Sequence, residues 1–189
     1  AGGKGTRLGE ITKNKPKPLV DIGGVTLLEY QLKKIKKAGF RKVYISSHHM
    51  ANQILDKISE VDLENINIEF ITEKEPMGTA GSLFFLKEEE LPVLTLNCDV
   101  VTDVDFREMV TTFEKKEADV LVGVRPFNTF IPYGVIKIEN QKVTGFDEKP
   151  MYQDWVSAGI NLVSKKVISS ITEEGYLDMN ELIETSINK

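Results

Sequence analysis

The sequence predicts an α/β protein: a mixed, mostly parallel sheet flanked by helices, followed by a later β-rich portion. Two observations predict it. Short β-branched or apolar runs at Lys42–Ser46, Ile66–Thr72, Val93–Cys98 and Val120–Val124 alternate with helical patterns. From Gly134 onward the texture changes, and strand-like segments at Val135–Ile138, Lys142–Phe146 and Val156–Val163 follow one another without helices between them.

Several helices carry their own start signals. Thr26 with Glu29 makes a capping box, Leu28, Leu32 and Ile35 form one apolar stripe, and Gly39 stops the pattern. Lys36 and Lys37 suit the negative end of that helix. Asp105 with Glu108 and Asp178 with Glu181 repeat the capping signature, one helix following the Val93 strand and another ending the chain. A further helix is expected to start near Thr79, after the turn at Pro76-Met77-Gly78.

The totals bound the function. A chain of 189 residues with 41% hydrophobic and 28% charged residues is long enough for one domain with a sizeable core. A net charge of -5 argues against general nucleic-acid binding, so any affinity for phosphate must come from local basic residues. One cysteine makes no internal disulfide, and neither a signal peptide nor a long apolar run is seen, so a cytoplasmic setting without a membrane is the default. Oligomeric state stays open, a homo-oligomer included.

The opening stretch has the character of a phosphate-handling loop. Gly2, Gly3 and Gly5 let backbone N–H groups approach a ligand closely, Thr6 lies in the same loop, and Arg7 offers a planar fork for phosphate oxygens. Pro16 and Pro18 stiffen the chain on either side of Lys17 and bias it towards extended geometry, so that the lysine is presented at low ordering cost. A P-loop is excluded because Lys4 is followed by Gly5, and a dinucleotide fingerprint because Leu8 stands where a small residue is needed.

In open α/β sheets ligands bind beyond the C-terminal ends of strands, which singles out three later places. The first is Glu73 to Gly81, where free N–H groups at a helix start near Gly78 and Thr79 would meet a base or phosphate, the alternative being an ordinary strand-to-helix loop. The second is Asn97-Cys98-Asp99, where the carboxylate of Asp99 suits Mg²⁺ and Cys98 reads as a packed small residue. The third is Gly134 with Glu148-Lys149-Pro150, where Glu148 would accept sugar hydroxyls and Lys149 hold a phosphate. Its competing reading is a solvated charge pair in a turn. His48 and His49 are adjacent, a poor arrangement for one metal, and are assigned no chemistry.

Taken in this order, these residues resemble the sugar 1-phosphate nucleotidyltransferase family. The likeness rests on Gly2 to Leu8 with Lys17-Pro18-Leu19-Val20, on Pro76 to Gly81, Asp99, Tyr133-Gly134-Val135, Glu148-Lys149-Pro150 and Ser157-Ala158-Gly159-Ile160. It implies a Rossmann-like fold and a single displacement in which a sugar 1-phosphate attacks the α-phosphorus of a nucleoside triphosphate. By that likeness Arg7 and Lys17 are catalytic, and Gly2, Gly3, Gly5, Thr6, Glu73, Gly78 and Thr79 bind the nucleotide. Asp99 holds Mg²⁺, while Gly134, Glu148, Lys149 and Ser157 bind the sugar phosphate. An ionised Glu73 accepts hydrogen bonds only, which suits the N1–H and amine edge of guanine and makes GTP the expected nucleotide. The general look is that of hexose 1-phosphate guanylyltransferases, mannose or glucose type.

Three departures and an absent leading strand stand out. Cys98 and Ser157 replace the glycine and asparagine usual in that family. The family's second metal aspartate falls downstream of Lys189, and no strand precedes the glycine loop. Residues 1–189 therefore read as a nucleotidyltransferase domain short of its first strand and its C-terminal segment. The rival reading is a regulatory subunit of the same fold that binds a nucleotide sugar without catalysis; retention of Arg7, Lys17, Asp99, Glu148 and Lys149 favours the enzyme.

Overall fold

The structure is a computed structural model that describes residues 15–48, 50–61 and 63–187. Its elements in chain order are α1 (Leu27–Lys37), β1 (Lys42–Ser47), α2 (Ala51–Ser59), β2 (Asn67–Thr72), β3 (Val93–Leu96), α3 (Phe106–Lys116), β4 (Val120–Phe130), β5 (Val135–Glu139), β6 (Lys142–Asp147), β7 (Met151–Val163), α4 (Lys165–Ser169) and α5 (Met179–Ile187). Short 3-10 helices at Lys17–Leu19 and Gly81–Leu86 complete the set. The mixed α/β architecture and the later β-rich portion are as the sequence predicts.

Among the described residues β1 and β2 pair in parallel, running in register from Lys42 opposite Asn67 to Ser47 opposite Thr72. β3, β7 and β4 form a second sheet in that order, with β3 and β7 antiparallel and Leu96 opposite Ile160. β5 and β6 make an antiparallel hairpin. The chain divides into two compact units, one from Ala1–Leu121 with Gly159–Lys189 and one from Val122–Ala158.

The first unit holds two apolar clusters. Leu28 and Leu32 of the predicted α1 stripe pack with Leu19, Ile45 and Ile54. Ala80, Leu83 and Leu86 pack with Val163, Val167, Ile168, Met179 and Leu182. Thr26 caps α1 as expected, its hydroxyl accepting from the Glu29 N–H at 3.2 Å. Asp105 caps α3 through the Arg107 N–H at 2.8 Å. Arg107, in the first turn of α3, then donates to the last carbonyls of the α1 region, Lys37 at 2.7 Å and Ala38 at 3.0 Å, so the start of α3 satisfies the end of α1.

Some local expectations are corrected. The helix expected at Thr79 is a 3-10 helix that begins at Gly81, because the preceding amides bond elsewhere: Thr79 to Asp178, Ala80 and Gly81 to the Leu177 carbonyl. Asp178 correspondingly turns its carboxylate to Thr79 and Tyr176. Lys17 opens a 3-10 turn instead of lying extended, since Pro18 sits at a position of that short helix where a missing N–H costs nothing. α2 and α4 carry no capping box; α2 starts after Met50 in a left-handed conformation, φ 55°, and α4 after Ser164.

Candidate active site

Lys17 and Asp99, 82 residues apart in sequence, form an ion pair between Nζ and Oδ2. Both remain accessible, with 25% and 43% of their side-chain surface exposed, so ligand oxygens have a route to either charge. Lys17 is delivered by the Pro16-Lys17-Pro18 turn, in which the Leu19 N–H bonds the Pro16 carbonyl at 2.9 Å and Pro18 is buried. Asp99 is delivered by the turn after β3, closed by the Val100 N–H on the Asn97 carbonyl at 3.2 Å. Cys98 between them is half-buried, and burial pushes its thiol pKa up, which suits packing and not nucleophilic attack.

These groups border a cleft of about 960 Å³ in the first unit, of ligand-pocket size. Gln31, Glu73, Gly78 and Thr79 line it with Lys17 and Asp99, beside apolar walls from α1, β1 and β3. Glu73 is only 6% exposed. One carboxylate oxygen accepts from the Ser46 hydroxyl at 2.6 Å and the other from the Met77 N–H at 3.2 Å, so the side chain braces the loop it stands in. The Glu73 carbonyl in turn meets the His48 Nδ1 at 2.9 Å, a structural role for one of the two histidines. His49 lies outside the described residues.

The 76–81 loop is held from the far end of the chain. Gly78 has φ +74°, and a Cβ there would stand 2.5 Å from the Leu177 carbonyl oxygen, so only glycine fits. Thr79 donates its N–H and hydroxyl to Asp178 Oδ1, both at 3.2 Å, and its Oγ1 accepts from the Met179 N–H at 2.8 Å. The amide foreseen as free at Thr79 is therefore already paired, as are those of Ala80 and Gly81.

The model of the nucleotidyl transferase family matches residues 1–189. This chain belongs to the nucleotidyl transferase family. A mannose-1-phosphate guanylyltransferase catalytic subunit beta from Xenopus tropicalis is 33% identical, with all of this chain covering 52% of that protein. A D-glycero-alpha-D-manno-heptose 1-phosphate guanylyltransferase from Campylobacter jejuni is 28% identical, with all of this chain covering 84% of it. The solved structure of HddC from Yersinia pseudotuberculosis superposes with a TM-score of 0.71 at 25% identity, over 93% of this chain and 79% of that one. The chain spans about half the length of the curated mannose-1-phosphate relatives it matches.

Within this chain, the fold brings Lys17, Glu73, Gly78, Thr79 and Asp99 to one cleft. Gly2, Gly3, Gly5, Thr6 and Arg7 lie outside the described residues. In the second unit, Gly134 is packed so closely on the Phe146 ring that a Cβ would come within 2.5 Å of Cζ, and within 3.3 Å of Glu148 Oε2. Glu148 and Lys149 approach each other only to 3.9 Å, with side chains 61% and 59% exposed. Ser157 is exposed on β7. The sequence reading missed Gln31 and Tyr30, which hold the Asp99 turn from α1, and Ser46, which holds Glu73. Their side chains belong to no motif, and their partners lie 27 to 72 residues away.

Proposed function

We propose that this chain is the nucleotidyl-transfer portion of an enzyme that joins a hexose-type sugar 1-phosphate to GTP, releasing pyrophosphate. The observation that carries the reading is the Lys17–Asp99 pair at the cleft. An isolated ion pair at a surface contributes little to stability. A cation and a carboxylate held together at the end of a strand have the charges a nucleoside triphosphate and its metal require.

A phosphate oxygen of the sugar 1-phosphate forms a bond to the α-phosphorus while the bond to the departing pyrophosphate breaks. Such transfers need positioning and charge stabilisation more than a covalent nucleophile. Lys17 neutralises phosphate charge as it shifts towards the leaving group, and Arg7 is assigned the same work. Among the described residues no group of three or more His, Cys, Asp or Glu side chains makes a protein-only metal cage. A single accessible carboxylate fits Mg²⁺, which is commonly held by one or two carboxylates together with substrate phosphates. Asp99 would hold it; when bound, the ion neutralises the triphosphate and fixes its orientation.

GTP is supported by the relatives named as guanylyltransferases and by Glu73, whose oxygens keep acceptor sites after Ser46 and Met77 are served. The second unit supplies Glu148, Lys149, Gly134 and Ser157 for the sugar phosphate. A reducing cytoplasmic setting suits the substrates, and among the described residues no helix is long and apolar enough to cross a membrane.

Pyrophosphate release by the full-length protein, measured across GTP, UTP, dTTP, CTP and ATP with sugar 1-phosphates and Mg²⁺, tests the reading. Release with GTP, reduced about 10²- to 10³-fold in Lys17→Ala and in Asp99→Ala, is expected. Binding of a nucleotide or nucleotide sugar without release under any pairing would overturn it in favour of a regulatory subunit.

A further inference from the structure

The turn that carries Asp99 has no regular structure of its own beyond one backbone hydrogen bond, yet it is anchored at three points. On the β7 side, the Asn97 N–H donates to the Gly159 carbonyl at 2.9 Å. On the α1 side, Gln31 Nε2 donates to the Asn97 carbonyl at 2.8 Å and to the Val100 carbonyl at 3.1 Å. One turn of chain further on, the Tyr30 hydroxyl donates to the Thr102 carbonyl at 2.9 Å. Gln31 thus brackets Asp99, tying down the residue two before it and the residue one after it.

The chemistry of that bracket is specific. Two carbonyl oxygens converge on one nitrogen, and only a side-chain amide of this length offers two hydrogens there without a charge. A leucine of similar size leaves both carbonyls without their donor, and a glutamate turns acceptors towards acceptors. Gln31 sits on an α-helix whose cap and apolar face are fixed, so the bracket is referred to the rigid part of the first unit. Asp99 itself has one side-chain partner shown, Lys17, and its direction depends on where its backbone is held.

We propose that Gln31 is a positioning residue for Asp99, setting how strongly the site takes up a divalent cation with its nucleotide. The proposal rests on the assignment of Asp99 as the metal ligand. Residues that orient a metal ligand without touching the metal commonly change its affinity about 10- to 100-fold. Tyr30 acts in the same sense but further along the chain, and its effect is smaller.

Calorimetric titration of GTP into the full-length protein, once with Mg²⁺ and once with EDTA, isolates the gain in affinity due to metal. Gln31→Leu and Gln31→Glu are expected to lose about tenfold of that gain while GTP affinity in EDTA is unchanged. Tyr30→Phe, which keeps the ring packing and loses only the hydroxyl, is expected to lose about two- to threefold. Asp99→Asn loses the gain entirely. Equal loss with and without metal in the Gln31 variants would make the residue merely structural and overturn the proposal, as would an intact gain. A gain that survives Asp99→Asn would instead overturn the metal assignment, and Gln31's role with it.

Discussion

Glu73 shows how a residue chosen from sequence for one reason proves to have a second. Its carboxylate suits a guanine edge, and that much follows from residue type and position. Its burial and its bonds to Ser46 and Met77 depend on β1 and β2 lying side by side in register, which no local pattern encodes. Glu73→Gln can keep its oxygen on the Met77 N–H and donate its NH₂ to the Ser46 hydroxyl, so it loses only the charge-assisted strength of these bonds, and unfolding free energy is expected to fall by about 1 kcal/mol, read by urea denaturation. The same variant should lower the GTP over UTP ratio of kcat/KM about tenfold, the value of one lost hydrogen bond to a charged group. A ratio that stays put while stability falls would leave Glu73 as a brace alone. Lys17 and Asp99 were legible because short motifs name them. Gln31 was not, because a glutamine on a helix is ordinary until its two carbonyl partners are in view.

At the scale of elements, the informative contact is the one between the 76–81 loop and the start of α5. The helix caps at Thr26 and Asp105 are read correctly from sequence because cap and partner are two or three residues apart. Asp178 carries the same signature, yet its carboxylate serves Thr79 and Tyr176, and the Thr79 hydroxyl meets the Met179 N–H 100 residues away. The signature places the start of α5 correctly at Met179, while the carboxylate itself is taken by tertiary partners. The hydrogen bond from Tyr176, followed by those from Thr79, holds the Asp178 pKa below its ordinary value. Folding therefore favours the ionised form, and the stabilisation is complete above the unfolded pKa of about 3.9 and is lost as pH falls through the folded value. Asp178→Asn, which keeps an acceptor for Thr79 but not the charge, is expected to cost about 1 kcal/mol at pH 7. The gap between variant and wild type should close as pH drops below about 3.9, followed by thermal melting. A gap independent of pH would mean that shape, not charge, holds the loop.

At the scale of the whole molecule, the residues assigned to the two substrates fall in different compact units: Lys17, Glu73, Gly78, Thr79 and Asp99 in the first, Gly134, Glu148, Lys149 and Ser157 in the second. The chain leaves the first unit along β4 and returns along β7, so each set is held by its own local packing. This division makes the assignments separable by experiment. Lys149 is a clean probe, since its side chain is mostly exposed and its ion pair with Glu148 reaches only 3.9 Å. Its backbone is left-handed, φ 46°, but alanine carries a Cβ as lysine does, so the substitution adds no new backbone strain. Lys149→Ala should then change stability by less than about 0.5 kcal/mol. If Lys149 holds the sugar phosphate, the variant raises KM for the sugar 1-phosphate about tenfold, the worth of one charge-assisted hydrogen bond. GTP affinity, measured in the absence of sugar, stays at the wild-type value. An unchanged KM would return Lys149 to the plain reading that its exposure also allows, a solvated charge in a turn before a proline, and would shift the phosphate contact to the basic residues of the first unit.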